Sequence, residues 1–60
     1  MNLKEYVLYR LQQESGEYVS GQELAESSGK SRAAVWKAVK NLTKDGYEID
    51  AVTNKGYRLT

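Results

Sequence analysis

Two serine-led helix starts, Ser20 and Ser31, stand eleven residues apart with Ser28-Gly29-Lys30 between them. That spacing leaves room for one short helix and a tight turn. Ser20-Gly21-Gln22-Glu23 has capping-box spacing: a hydroxyl to accept from free N–H groups of the first turn, and a glutamate to reach back. The helix it opens passes through Leu24 and Ala25 and breaks at Ser28-Gly29-Lys30. Ser31 is the next N-cap. A longer helix then runs from Arg32 to about Lys44 and ends at Asp45-Gly46, with Gly46 suited to the left-handed closing position.

Ala25 is small enough for the two helices to approach closely, and Gly29, four residues on, can take the positive φ that the turn needs. Val35, six further, can plug the angle between them. Two helices joined by a turn of about three residues with a glycine in it make a helix-turn-helix.

The flanking segments extend this unit. Asn2-Leu3-Lys4-Glu5 also has capping-box spacing, and Leu3, Val7, Leu8 and Leu11 recur at helical intervals. That first helix should run to about Glu14 and stop at Ser15-Gly16. Tyr18-Val19 is too short for more than a bridging strand. Beyond Gly46 the period changes to two: Tyr47, Ile49 and Ala51 alternate with Glu48, Asp50 and Val52. Thr53-Asn54-Lys55-Gly56 has turn chemistry, and Tyr57 and Leu59 flank Arg58 in a returning strand. The expected fold is mainly α with a small β hairpin: a three-helix winged helix-turn-helix, one domain over residues 1–60. Its expected core is Val7, Leu11, Leu24, Val35, Val39, Leu42, Ile49 and Leu59.

The chain has no Cys and no His, so disulfides, thiolate metal sites and the commonest general base are unavailable to it. Gly29-Lys30-Ser31 matches the tail of a phosphate-binding P-loop, but the leading glycine would fall at Leu24, inside a helix. Glu23 and Glu26 share a helical face, where they complement the helix dipole. No catalytic, cofactor-binding or metal residue is expected in this chain. With no signal-like or membrane-spanning run, a cytoplasmic location is expected.

The net charge of +1 conceals a strong asymmetry. Residues 1–29 carry two cations and five acids, residues 30–44 five cations and no acid, and residues 45–60 two cations and three acids. The positive excess therefore lies in one segment, as a polyanionic partner would require. At about 100° per residue, Val35, Ala38, Val39 and Leu42 share one face of that helix. Ala33, Lys37, Lys40 and Lys44 share the opposite one, with Arg32 and Trp36 on one flank and Asn41 on the other. A lysine stripe is by itself most often a solvated face. Directly after a helix-turn-helix turn, it reads instead as the outer face of a recognition helix. Ser31 and the free N–H groups at the helix start can bind a phosphate. Ala33 is small enough to let the helix approach base edges, and Arg32 and Lys37 can donate to guanine or to phosphate. Trp36 is equally open to packing under the hairpin and to contact with DNA. Lys55 and Arg58 beside the hairpin turn are either ordinary surface charges or wing contacts to the backbone or minor groove. With Ser20 and Gln22 at the start of the preceding helix, these complete the candidate DNA-binding set: Ser20, Gln22, Ser31, Arg32, Ala33, Trp36, Lys37, Lys40, Lys44, Lys55 and Arg58. Arg32, Ala33 and Trp36 are expected to govern sequence preference, and the lysines to bind phosphate.

Ser20-Gly21-Gln22-Glu23-Leu24 followed by Ser31-Arg32-Ala33-Ala34-Val35-Trp36-Lys37 resembles the N-terminal domain of the bifunctional biotin–protein ligase/biotin operon repressor family. Gly46-Tyr47-Glu48-Ile49-Asp50-Ala51-Val52, with Lys55-Gly56-Tyr57-Arg58-Leu59, resembles that family's wing. The resemblance implies a repressor domain that docks its third helix in the major groove of operator DNA. It also implies a larger C-terminal domain, outside this chain, that makes biotinyl-adenylate, transfers biotin to a carrier protein and dimerises with the adenylate as corepressor. The isolated chain is then expected to be a monomer and a weak operator binder, and the full-length protein a homodimer on DNA. A stand-alone winged-helix regulator and a winged-helix protein-interaction module remain the alternatives.

Overall fold

The computed structural model describes residues 2–60. Helix α1 spans Leu3–Gln13, α2 Gly21–Ser28 and α3 Arg32–Lys44. Each begins at the expected cap. Asn2 Oδ1 accepts from the Glu5 N–H at 2.8 Å, and the Glu5 carboxylate accepts from the Asn2 N–H at 3.1 Å, a complete capping box. Ser31 Oγ accepts from the Ala34 N–H at 3.1 Å. Ser20 Oγ accepts from Gln22 and Glu23 N–H at 3.2 and 3.3 Å. Here the expected reciprocal bond does not form, because the Glu23 carboxylate pairs with the Arg10 guanidinium of α1. Arg10 also donates to the Tyr6 hydroxyl at 3.0 Å and to Ser27 Oγ at 3.2 Å, so α1 and α2 are joined by a polar cluster. The Tyr6 hydroxyl itself donates to Ser27 Oγ at 2.7 Å, and its hydrogen bonds with Ser27 and Arg10 hold the phenol below its usual pKa.

Gly29 closes α2 with φ 72° while the Lys30 N–H donates to the Ala25 carbonyl at 3.0 Å. A Cβ at Gly29 would meet nothing within 4 Å, so glycine is required here for its backbone angle alone. After Asp45 the same closure ends α3, with the Tyr47 N–H bonded to the Leu42 carbonyl at 3.1 Å.

The hairpin pairs β1 (Ile49–Val52) with β2 (Gly56–Leu59), antiparallel, from Ile49↔Leu59 to Val52↔Gly56. Val19 adds a one-residue third strand: its N–H donates to the Tyr57 carbonyl at 2.8 Å, and the Tyr57 N–H donates to its carbonyl at 2.9 Å. The wing is thereby attached to the entrance of α2.

Both α1 and α2 pack on α3. Val7, Leu11, Leu24, Val35, Val39 and Leu42 are buried as expected, joined by Val19, Ala25 and Ala38. Ile49 and Leu59, expected inside, are only half-buried and pack against the edge of that cluster. A two-stranded wing covers the core from one side and leaves its own rim in water. Tyr47, expected within the strand alternation, precedes β1 and is exposed, since the closure of α3 uses its N–H.

Candidate nucleic-acid interface

The amphipathic division of α3 holds residue by residue. Val35, Ala38, Val39 and Leu42 are buried, whereas Arg32, Ala33, Trp36, Lys37, Lys40, Asn41 and Lys44 are exposed. The helix-turn-helix angle explains why this face stays free: α1 and α2 pack from behind, and Val35 at the inside of the bend has no exposed surface. Ser31 spends its hydroxyl on the Ala34 N–H, so the N–H groups of Arg32 and Ala33 are the first-turn donors without an intrahelical acceptor.

Three ion pairs occur among the described residues: Lys4 with Asp45, Arg10 with Glu23, and Arg58 with Asp50. Surface pairs of this kind contribute about 0–1 kcal/mol each to stability. Their placement matters more than their energy. Asp45, next to Lys44, is drawn to Lys4 of α1, while Lys37, Lys40 and Lys44 have no acidic partner among the described residues. The cations of α3 are thus left available to an external anion.

Beside this face lies a groove of about 480 Å³ between the start of α2, the start of α3 and the wing. Ser20, Gln22, Arg32, Trp36, Lys55 and Tyr57 are among its lining residues. Two close approaches shape its floor and far wall. A Cβ on Gly21 would stand 3.2 Å from the Tyr57 ring, and one on Gly56 would stand 2.6 Å from the Val19 carbonyl carbon. Within the groove, the Gln22 amide nitrogen donates to Glu26 at 3.1 Å. The Trp36 indole, 52% exposed, has the Lys40 ammonium 4.5 Å from its ring centre.

The wing divides its two cations. Residues paired across an antiparallel ladder share a face, and neighbours along a strand alternate. Ile49, Tyr57 and Leu59 face the core, so Asp50 and Arg58 face the other way. Tyr18, one residue before the Val19 bridge, falls on that same outer face. Arg58 there bonds Asp50 at 2.6 Å and lies 4.8 Å over the Tyr18 ring, and the Asp50 bond holds its pKa above the usual value. Its Nε is buried and has no acceptor. Lys55 borders both sides: it lines the groove, and its ammonium is 5.5 Å from the Tyr18 ring centre.

The structure therefore gathers Ser20, Gln22, Arg32, Trp36 and Lys55 around one groove, sets Ala33, Lys37, Lys40 and Lys44 along the adjoining helix face, and leaves Arg58 on the far side of the wing. Thr53, Asn54 and Tyr57 also line the groove and were not singled out in the sequence. Their proximity to Arg32 depends on the wing folding back, which no local pattern encodes. Lys30, exposed in the turn, belongs to the basic block and could have been included on charge alone. Among the described residues there is no metal-ligating cluster, and no helix is long and apolar enough to cross a membrane.

Comparison with known proteins bears on this surface. The profile of an HTH domain family matches residues 4–58. The bifunctional ligase/repressor BirA of Bacillus subtilis (strain 168) is 44% identical over 57 residues, which is 95% of this chain and 18% of that protein. The protein of the same name from Escherichia coli (strain K12) is 42% identical over 45 residues, covering 75% of this chain and 14% of its own length. The chain thus spans less than a fifth of the relatives it matches.

Proposed function

This chain belongs to the helix-turn-helix domain family whose profile it matches almost end to end, and on that premise we propose that it is the operator-binding domain of a bacterial transcriptional repressor, with α3 as its recognition helix. The observation that carries this reading is the outer face of α3: three lysines without acidic partners among the described residues and a small Ala33, on a helix whose other face supplies four core residues. Such a helix can enter the major groove, where Arg32 and Ala33 in its first turn meet base edges and Lys37 and Lys44 meet phosphates. A protein-docking surface is usually depleted in lysine.

The relatives are described as both ligase and repressor. By extension, the parent protein governs a biotin operon from the cytoplasm. Its larger domain binds biotinyl-adenylate as corepressor and pairs two copies of this domain on DNA. This chain needs no cofactor of its own and carries no ligase activity. Alone it reads a half-site as a monomer, with affinity nearer the non-specific range of about 10⁻⁴–10⁻⁶ M.

Titration of a random-sequence duplex and of one selected from a randomised pool, at several salt concentrations, tests the reading. Lys37→Ala and Lys44→Ala should each reduce the slope of log K against log salt by about 0.9, with little change in sequence preference. Unchanged slopes in both variants would return the lysine stripe to an ordinary solvated face.

A further inference from the structure

Arg32, Trp36 and Lys40 follow one another at four-residue intervals along α3; the first two line the groove, and Lys40 follows one turn beyond it. The indole in the middle is the most exposed large apolar side chain among the described residues. Packing under the hairpin would bury it, yet half of it remains in water. What occupies it instead is the next side chain of the series: the Lys40 ammonium, 4.5 Å from the ring centre. Tryptophan is the best of the aromatic partners for a cation, and a lysine held over a ring is no longer free to sweep its four-carbon stem through solvent.

We propose that Trp36 is a positioning residue, which holds the Lys40 ammonium in place for a DNA phosphate at the edge of the groove rather than reading a base itself. The inference rests on the DNA-binding reading above and adds a division of labour to it. Lys37 and Lys44 bind phosphate from mobile stems, because neither has an aromatic ring beneath it among the described residues. Lys40 approaches its phosphate with its ordering already done, so less freedom is lost on binding. An exposed cation–aromatic contact of this kind corresponds to about a two- to fivefold effect on affinity.

A double-mutant cycle separates this role from base reading. The parent chain, Trp36→Ala, Lys40→Ala and the double variant are titrated against the random-sequence duplex and the selected duplex. Trp36→Phe, which keeps a ring, is titrated beside them. The expected result is a two- to fivefold loss for Trp36→Ala that is equal on both duplexes, nearly absent when Lys40 is already alanine, and partly restored by Trp36→Phe. Because Trp36 is the sole tryptophan, its emission supplies a readout without DNA: Lys40→Met should change the fluorescence of the free chain. A loss confined to the selected duplex, or one that adds in full to that of Lys40→Ala, would make Trp36 a base reader and overturn the proposal. Unaltered emission in Lys40→Met would also overturn it, by removing the contact on which it stands. Failure of the DNA-binding reading is distinguishable, since the parent chain would then bind neither duplex.

Discussion

Ala33→Glu should weaken duplex binding by at least about a hundredfold while the domain stays folded. Ala33 is exposed in the first turn of α3, flanked by Arg32 and one turn before Lys37. A glutamate there brings a carboxylate to the face that meets the polyanion, where like-charge juxtaposition costs several kcal/mol and each 1.4 kcal/mol is about tenfold in affinity. It also adds bulk where the helix must come closest to the bases. The fold has no reason to suffer. Glutamate is a good helix former, and an acid in the first turn interacts favourably with the helix dipole. Thermal melting by circular dichroism should therefore give a midpoint at or slightly above that of the parent, alongside the lost binding. Affinity within tenfold of the parent would mean that the start of α3 does not enter the groove of the DNA.

Gly56→Ala should be the most destabilising of the glycine-to-alanine changes in this chain. Two penalties coincide at Gly56. Its φ of 113° lies outside what side-chain-bearing residues readily adopt, and the new Cβ would stand 2.6 Å from the Val19 carbonyl carbon and 2.9 Å from Ser20 Cα. Both neighbours are backbone, so neither can rotate away. Gly29 offers the control, with a positive φ but open space around it. Gly29→Ala should cost about 1–2 kcal/mol, the penalty of a left-handed residue. Gly56→Ala should cost roughly 3–5 kcal/mol. A domain of this size has on the order of 3–9 kcal/mol in all, at about 0.05–0.15 kcal/mol per residue. Urea denaturation of the three proteins gives the comparison. If Gly56→Ala proved no worse than Gly29→Ala, the close seat of the wing on Val19-Ser20 would not exist in solution.

What could be read from the sequence was local chemistry. The caps at Asn2, Ser20 and Ser31, the left-handed turn at Gly29 and the buried stripe of α3 each depend on residues within a few positions of one another, and each formed. Relations between distant segments were hidden. The Ser20 capping box stays half-made because Glu23 has a competitor, Arg10, thirteen positions away and on another helix. Val19 becomes core because a single bridge to Tyr57 draws it inward. For Arg58 the sequence leaves open a surface charge or a wing contact; its bond to Asp50 across the hairpin and its place over Tyr18, just before the Val19 bridge, depend on the folded wing. In the candidate interface, the helix face followed from its period. The groove beside it did not, because its second wall is the returning hairpin.

The Val19–Tyr57 bridge also bears on the order in which the domain comes apart. Among the described residues, every buried hydrophobic side chain apart from Val19 belongs to a helix, and neither strand of the hairpin contributes one. The wing is held by two backbone bonds to Val19, by the half-buried Ile49, Tyr57 and Leu59, and by the fit of Gly56. Segments with few buried contacts open at lower free energy than the body they rest on. Wing opening and global unfolding are then distinct events, and under native conditions the amides of β1 and β2 exchange with deuterium ahead of those in the middle of α3. An opened wing leaves the three helices and the outer face of α3 in place. A domain that opens in this order passes through a form in which the lysine-lined helix is still in place while the last strand is unpaired.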